Sequence, residues 1–249
     1  MLVVVSPAKK IDMSLVKAIT PTQPIFRTEA LELAEVAGKL SSAHLKKLMG
    51  ISAKLTELNK ERFANFGTQE RKPAALAFAG DTYQGLEAKS FDVDEMKWAQ
   101  NHLRIISGLY GILRPLDEIE PYRLEMGSRL MTKRGKSLYE YWGSKIAEVL
   151  NSQGQKTQSK VVVNCASKEY FSAIDTTCLN LPVITPVFME KTERGPKIVS
   201  FYAKKARGAM ARFIIKNRIK SAVSLRDFDT GGYQYTASLS SDNRLVFTR

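Results

Sequence analysis

The stretch Leu2-Val-Val-Val-Ser-Pro-Ala-Lys9 sets the reading of the chain. Leu2–Val5 is a short, β-branched apolar run with no polar alternation, the pattern of a strand buried on both faces. Ser6-Pro7-Ala8-Lys9 ends it. Similar runs recur downstream at Ala74–Ala79, Leu103–Leu109, Val161–Asn164, Val183–Met189, Ile198–Phe201 and Leu245–Thr248. Helical patterns separate them. Such alternation, without internal repeats, predicts an α/β fold: a mixed, largely buried sheet flanked by helices. No composition break divides the 249 residues, so residues 1–249 read as one domain.

The helical segments have their own signals. From Thr28 to about Phe66, Leu31, Leu33, Ala34, Ala37 and Leu40 form one apolar stripe. Ser41-Ser42 offers an N-cap, Gly50 breaks the pattern, and Ser52 caps a further helix carrying Leu55, Leu58 and Phe63. Residues 28–66 therefore read as a helical hairpin subregion. Asp94–Asn101 reads as a short helix and Lys136–Leu150 as an amphipathic one. Arg114–Arg129 reads as a long loop too polar for the core, and Asn151–Lys160 as a polar linker.

Composition narrows the function. The apolar fraction of 44% and charged fraction of 25% are ordinary for a globular protein. The net charge of +13 is not. Between Lys191 and Lys220 ten cations face Glu193 alone, so most of the excess is local and points at an anionic partner. Two cysteines, Cys165 and Cys178, match no zinc spacing, and His44 and His102 are the only histidines. No metal site and no cofactor are expected. The N-terminal run lacks a signal-peptide pattern and no apolar run approaches a membrane span, so a cytoplasmic location without a membrane partner is expected. There is no P-loop, dinucleotide fingerprint or serine-hydrolase elbow.

Three constellations remain. On the helix after Ser200, Ala206, Met210, Phe213 and Ile214 share one side. Lys205, Arg212 and Lys216 form one basic stripe, and Lys204, Arg207 and Arg218 a second. Gly208, Ala211 and Ile215 lie between them, a strip suited to close approach of a phosphate backbone. The second is the turn Gly50-Ile51-Ser52 between two helices, flanked by Lys46, Lys47 and Lys54. It is similar to a helix-hairpin-helix element, in which turn N–H groups and a helix N-terminus hold DNA phosphates. The third is a set of residues at strand ends: Ser6, Lys9, Asp81, Tyr83, Tyr110, Arg114, Asp117, Ser167, Glu169, Tyr170 and Lys204. If the strands are parallel, these meet in one crevice. There Asp81, Tyr83, Glu169 and Lys204 are the candidates for acid–base chemistry. The Arg114–Arg129 loop, with Tyr122, Arg123 and Glu125, reads as a wall of that crevice or as a segment closed by its own ion pairs.

These segments together resemble the YaaA peroxide-stress protein family. The likeness is carried by Ser6-Pro-Ala-Lys9, Phe78-Ala-Gly-Asp-Thr-Tyr-Gln-Gly-Leu86, Ser107-Gly-Leu-Tyr-Gly-Ile-Leu-Arg-Pro-Leu-Asp117 and Pro121-Tyr-Arg-Leu-Glu-Met-Gly127. It continues through Ala166-Ser-Lys-Glu-Tyr-Phe171 and Ser200-Phe-Tyr-Ala-Lys-Lys-Ala-Arg-Gly208. The resemblance implies a cytosolic protein of the hydrogen-peroxide response that limits unincorporated iron and so protects DNA and protein. It also implies DNA binding through a helix-hairpin-helix element, at Gly50, Ile51 and Ser52, and a positive cleft. By position that cleft takes Lys9, Arg114, Arg123, Lys204, Lys205, Arg207 and Arg212, and Lys216 extends it. No iron-ligand cluster is visible, so an effect on iron is expected to be indirect. The alternative is an enzyme acting on a phosphorylated or nucleotide-like small molecule in the same cleft.

Overall fold

The first strand, β1 (Leu2–Val5), is buried along its whole length, as an unbroken apolar run requires. The computed structural model describes residues 1–16 and 19–249. After β1 come the short β2 (Lys10–Ile11) and three helices, α1 (Arg27–Gly38), α2 (Ser42–Met49) and α3 (Ala53–Ala64). Next are β3 (Lys72–Pro73), α4 (Ala74–Ala77), β4 (Phe78–Ala79) and α5 (Asp81–Leu86). Helix α6 (Val93–His102) runs straight into β5 (Leu103–Ser107), and β6 (Gly111–Leu113) returns beside it. Then follow β7 (Glu118–Ile119), α7 (Leu138–Trp142), α8 (Lys145–Lys156), β8 (Val162–Cys165) and α9 (Lys168–Phe171). The chain closes with β9 (Val183–Met189), α10 (Ser200–Lys216), β10 (Gln234–Tyr235) and β11 (Arg244–Thr248).

The main sheet has seven strands in the order β10-β11-β9-β8-β1-β5-β6. Strands β11, β9, β8, β1 and β5 are parallel, and both edges are antiparallel. The sheet is therefore mixed and largely buried, as the alternation predicted: β1, β5 and β8 are buried throughout, and β9 alternates buried with half-buried residues. β1 sits between β8 and β5, with Val3 opposite both Val163 and Leu103. Local chemistry sets several boundaries. Asp92 and Glu95 form a reciprocal capping box at the start of α6. Ser41 caps α2, Gly50 closes it at φ 60°, and Ser52 caps α3, so α2 and α3 are joined by a short turn and pack against each other.

Helix α10 lies against α5 as well as against the sheet. The two helices cross at glycines. A Cβ on Gly208 would stand 1.7 Å from the Thr82 carbonyl oxygen, and one on Gly85 2.0 Å from the Lys205 carbonyl oxygen. Only a residue without a side chain fits on either helix.

Several segments differ from the sequence reading. Ala74–Ala79 is not one strand: Ala74–Ala77 is a helical turn and only Phe78–Ala79 is extended. A buried apolar run does not distinguish the two, and alanine favours the helix. Ile198–Phe201 is not a strand either. Ser200 already opens α10, whose inward row Ala203, Ala206 and Met210 starts one turn later, and Ile198 is exposed. The Arg114–Arg129 segment is core and not surface, with Asp117, Ile119, Glu120, Tyr122, Leu124 and Met126 all buried. Its polar groups are matched internally: Asp117 accepts from the Thr22 hydroxyl at 2.6 Å and the Arg114 backbone at 2.8 Å. The Lys136–Leu150 helix is broken at Gly143, where φ is 48°. Asn151–Lys156 is no linker but the end of α8. The small-residue strip on α10 is also not an open groove. Gly208, Ala211 and Ile215 are buried, and the Gly208 backbone meets α5.

Candidate functional site

Because β1, β5 and β8 are parallel, the segments that follow them leave at one end of the sheet. Ser6 after β1 and Ser167 after β8 are joined there. The Ser167 N–H donates to the Ser6 hydroxyl at 2.8 Å, and the two hydroxyls lie 3.4 Å apart. Tyr83 reaches in from α5 and donates to the Ser6 carbonyl at 3.1 Å. At the end of β5, the Ser107 hydroxyl lies 2.6 Å from that of Tyr122. The Phe78 ring lies against both Tyr83 and Tyr122, at 5.4 and 6.4 Å between centroids. Tyr170 on α9 completes the group. Burial is the main cause that raises the pKa of all three phenols, with smaller contributions from each other and from Glu125 and Glu169. At neutral pH they are hydrogen-bonding alcohols and not bases.

Glu125 is the carboxylate on which two cations converge at this cluster. Its Oε1 accepts from Arg123, with Nε and Nη2 each 3.0 Å away, and lies 3.4 Å from Lys9 Nζ. Its Oε2 is buried without a hydrogen-bond partner. Glu169 accepts the Gly127 N–H at 3.0 Å, and its own carbonyl takes the Tyr139 hydroxyl at 2.9 Å. Cys165 ends β8. Burial pushes its thiol up to about 12, against a smaller pull from the charge of Arg207, so it is an unreactive core thiol. Asp81 lines an open cavity of about 700 Å³ with Lys10, Asp12, Gln84 and Lys89, which Tyr83 also borders.

The expected cleft cations divide into tied and free. Arg114 donates to Asp117 Oδ1 and to the Gln23 carbonyl at 2.8 Å. Arg123 and Lys9 share Glu125. Arg207 is half-buried and donates to the Ala203 carbonyl. Arg212 reaches the Leu86 and Glu87 carbonyls and the Ser90 hydroxyl, and stands over the Phe91 ring at 5.5 Å. Lys216 pairs with Glu95 at 2.9 Å. Lys204 and Lys205 are exposed and pair with no carboxylate among the described residues. Lys47 and Lys54 are exposed in the same way at the hairpin. There the N–H groups of Gly50 and Ile51 both turn back to the Lys46 carbonyl, at 2.9 and 3.4 Å. The N–H groups of Ser52 and of Ala53 and Lys54 in the first turn of α3 are the donors left at this turn among the described residues.

Of the strand-end residues grouped from the sequence, Ser6, Tyr83, Ser167, Glu169 and Tyr170 stand at one end of the sheet. Arg114 and Asp117 instead turn to each other and to Gln23 and Thr22, Asp81 lines the open cavity, and Lys204 follows no strand but is exposed on α10. Sequence reading missed Ser107 and Phe78, which read as strand interior. Among the described residues no three His, Cys, Asp or Glu side chains gather as a metal site, and no helix is long and apolar enough to cross a membrane.

A mixed α/β sheet whose parallel strands end in a buried tyrosine–glutamate cluster, with a basic helix packed on glycine beside it, defines the class. The chain belongs to the family described as Peroxide stress protein YaaA, which it matches over residues 1–239. Curated relatives agree over full length. The UPF0246 protein of Ruegeria pomeroyi is 56% identical, covering 100% of this chain and 98% of its own. That of Dinoroseobacter shibae is 55% identical, covering 100% and 95%. One from Cereibacter sphaeroides is 51% identical, covering 100% and 99%. The family suggested by the sequence motifs is the family found, and it ties the chain to peroxide stress.

Proposed function

We propose that this protein serves the peroxide response by binding DNA in the cytoplasm through backbone phosphates. On this reading it shields DNA and protein and lowers unincorporated iron indirectly. The observation that carries it is the pair Lys204 and Lys205, exposed without a counter-charge in the most basic stretch of the chain. Lys47 and Lys54 at the α2–α3 turn supply a second group, beside the first-turn N–H groups of α3. Four such phosphate contacts give a log–log salt slope of about −3.6 on duplex DNA. Fluorescence anisotropy over a salt series tests this. Salt-insensitive binding, or unchanged affinity after Lys204→Glu with Lys205→Glu, refutes it.

The second reading, an enzyme acting on a phosphorylated or nucleotide-like small molecule, is favoured by one observation. Glu125 Oε2 is a buried acceptor with no donor, at the strand ends where α/β folds bind ligands. A thermal-shift screen of nucleotides and sugar phosphates tests it. The required result is a stabilisation by one compound that Glu125→Gln abolishes.

A further inference from the structure

Phe201 and Tyr202, in the first turn of α10, are 51% and 43% exposed, unusual for rings of their size beside a buried helix face. Between them and the 230–233 segment lies a pocket of about 180 Å³. Phe201, Tyr202, Lys205, Tyr233 and Arg249 line it together with the small Ala206, Ala209 and Gly231, and no Asp or Glu side chain is among its lining residues. That volume equals about six water molecules, room for one aromatic ring and far too little for a duplex.

One wall is rigid. The Arg249 guanidinium lies between the Tyr202 and Tyr233 rings, 4.7 and 4.6 Å from their centroids. Glu190 accepts from its Nε at 2.9 and 3.1 Å, and the Gly231 carbonyl accepts from Nη1 at 2.8 Å. This clamp neutralises Arg249 and fixes Tyr202 edgewise to Phe201, whose centroid is 5.5 Å away at 70°. Phe201 thus keeps its outer ring surface, and Lys205 brings an unpaired cation to the same pocket.

From this juxtaposition we propose that the pocket holds an unpaired base of single-stranded DNA, stacked on Phe201 with its flanking phosphate on Lys205. Ring stacking with a neighbouring cation is the sequence-tolerant chemistry of single-strand recognition. The proposal rests on the DNA-binding reading and deepens it: duplex contacts use the lysines alone, and unpaired contacts add the ring.

The test compares a fluorescein-labelled 12-mer of deoxyadenosine with a duplex of the same length, at one salt concentration, for the wild-type chain and Phe201→Leu. Leucine keeps apolar bulk on a half-exposed helix position, and a thermal melt confirms that the variant is folded. The expected result is a roughly 5- to 150-fold loss of single-strand affinity, the worth of one stacked base, with duplex affinity changed less than about twofold. A single-strand oligomer carrying 2-aminopurine should also lose its quenching in the variant. Equal losses on both substrates, or no loss on either, overturn the stacking proposal while leaving DNA binding standing. Absence of binding to both substrates by the wild-type chain overturns the two together.

Discussion

Replacing Gly208 with alanine should do more damage than any other single added methyl group on α10. The new Cβ would lie 1.7 Å from the Thr82 carbonyl oxygen, 2.7 Å from its carbonyl carbon and 2.9 Å from the Leu86 nitrogen. All three are backbone atoms, so no rotamer change relieves the clash. Non-bonded heavy atoms settle near 3.5 Å, so α5 must move off α10 by about 1.5–2 Å. A gap of even 0.5–1 Å forfeits a quarter to a half of each dispersion contact along the crossing. The loss should reach about 3 kcal/mol or more, the top of the overpacking range. For a chain of this size that lowers the melting temperature by about 6–12 °C. Urea unfolding followed by circular dichroism measures it. Gly38→Ala is the control, because there the new Cβ meets only Phe63 atoms at 3.6 Å, an ordinary contact. That variant should be neutral or up to about 1 kcal/mol more stable. If Gly208→Ala unfolds within about 0.5 kcal/mol of the wild type, the backbone-to-backbone crossing is wrong.

Glu120 is buried and accepts the Gly67 N–H at 2.7 Å, the Gln69 N–H at 3.3 Å and Arg71 Nε at 3.2 Å. With Gln69 Nε2 at 3.4 Å as a fourth donor, Glu120→Gln should cost about 2–3 kcal/mol in urea unfolding, because an amide faces four donors with one acceptor oxygen. His102 stacks on Trp98 at 3.9 Å, with Nδ1 2.9 Å from the Met1 carbonyl, and burial is the main cause that lowers its pKa. A lowered folded pKa means the unfolded chain takes the proton first as pH falls. The stabilisation is therefore complete above the ordinary histidine value and is lost as pH drops through the folded one. His102→Asn should flatten the fall in unfolding free energy between pH 7.5 and 5, and an unchanged slope would count against the assignment. Of the two thiols, exposed Cys178 should react with a disulfide reagent in the native protein and buried Cys165 only after denaturation.

The central strands were legible because burial on both faces leaves only apolar residues to write, as in Leu2–Val5 and Val162–Val163. The same rule failed at Ala74–Ala77, where apolar character survives but the backbone coils. Residues 114–129 read as surface because charge was counted without partners. Asp117 is wholly buried, and the hydroxyl it accepts belongs to Thr22, 95 residues away. The cluster at the strand ends was half legible for a related reason. Strand ends can be listed from a sequence, but the contact of Ser6 with Ser167 spans 161 positions. The basic helix misled most. Arg212 and Lys216 look free in the sequence and are held by Glu87 and Glu95. Gly208 looks like access for a ligand and is filled by another helix.

The place of β1 in the sheet bears on how the chain is made. Its partners are β5, some 100 residues later, and β8, some 160 residues later. At about 5–20 residues per second, a ribosome exposes this four-residue apolar strand for roughly 5–20 s before β5 emerges. The wait for β8 is about 8–32 s. Both edges of the future central strand are unpaired until β5 emerges, and one stays open until β8 does, on a chain whose sheet cannot yet close. Synthesis rate and holding chaperones, more than the stability of the finished sheet, should therefore govern how much of this protein reaches its folded state.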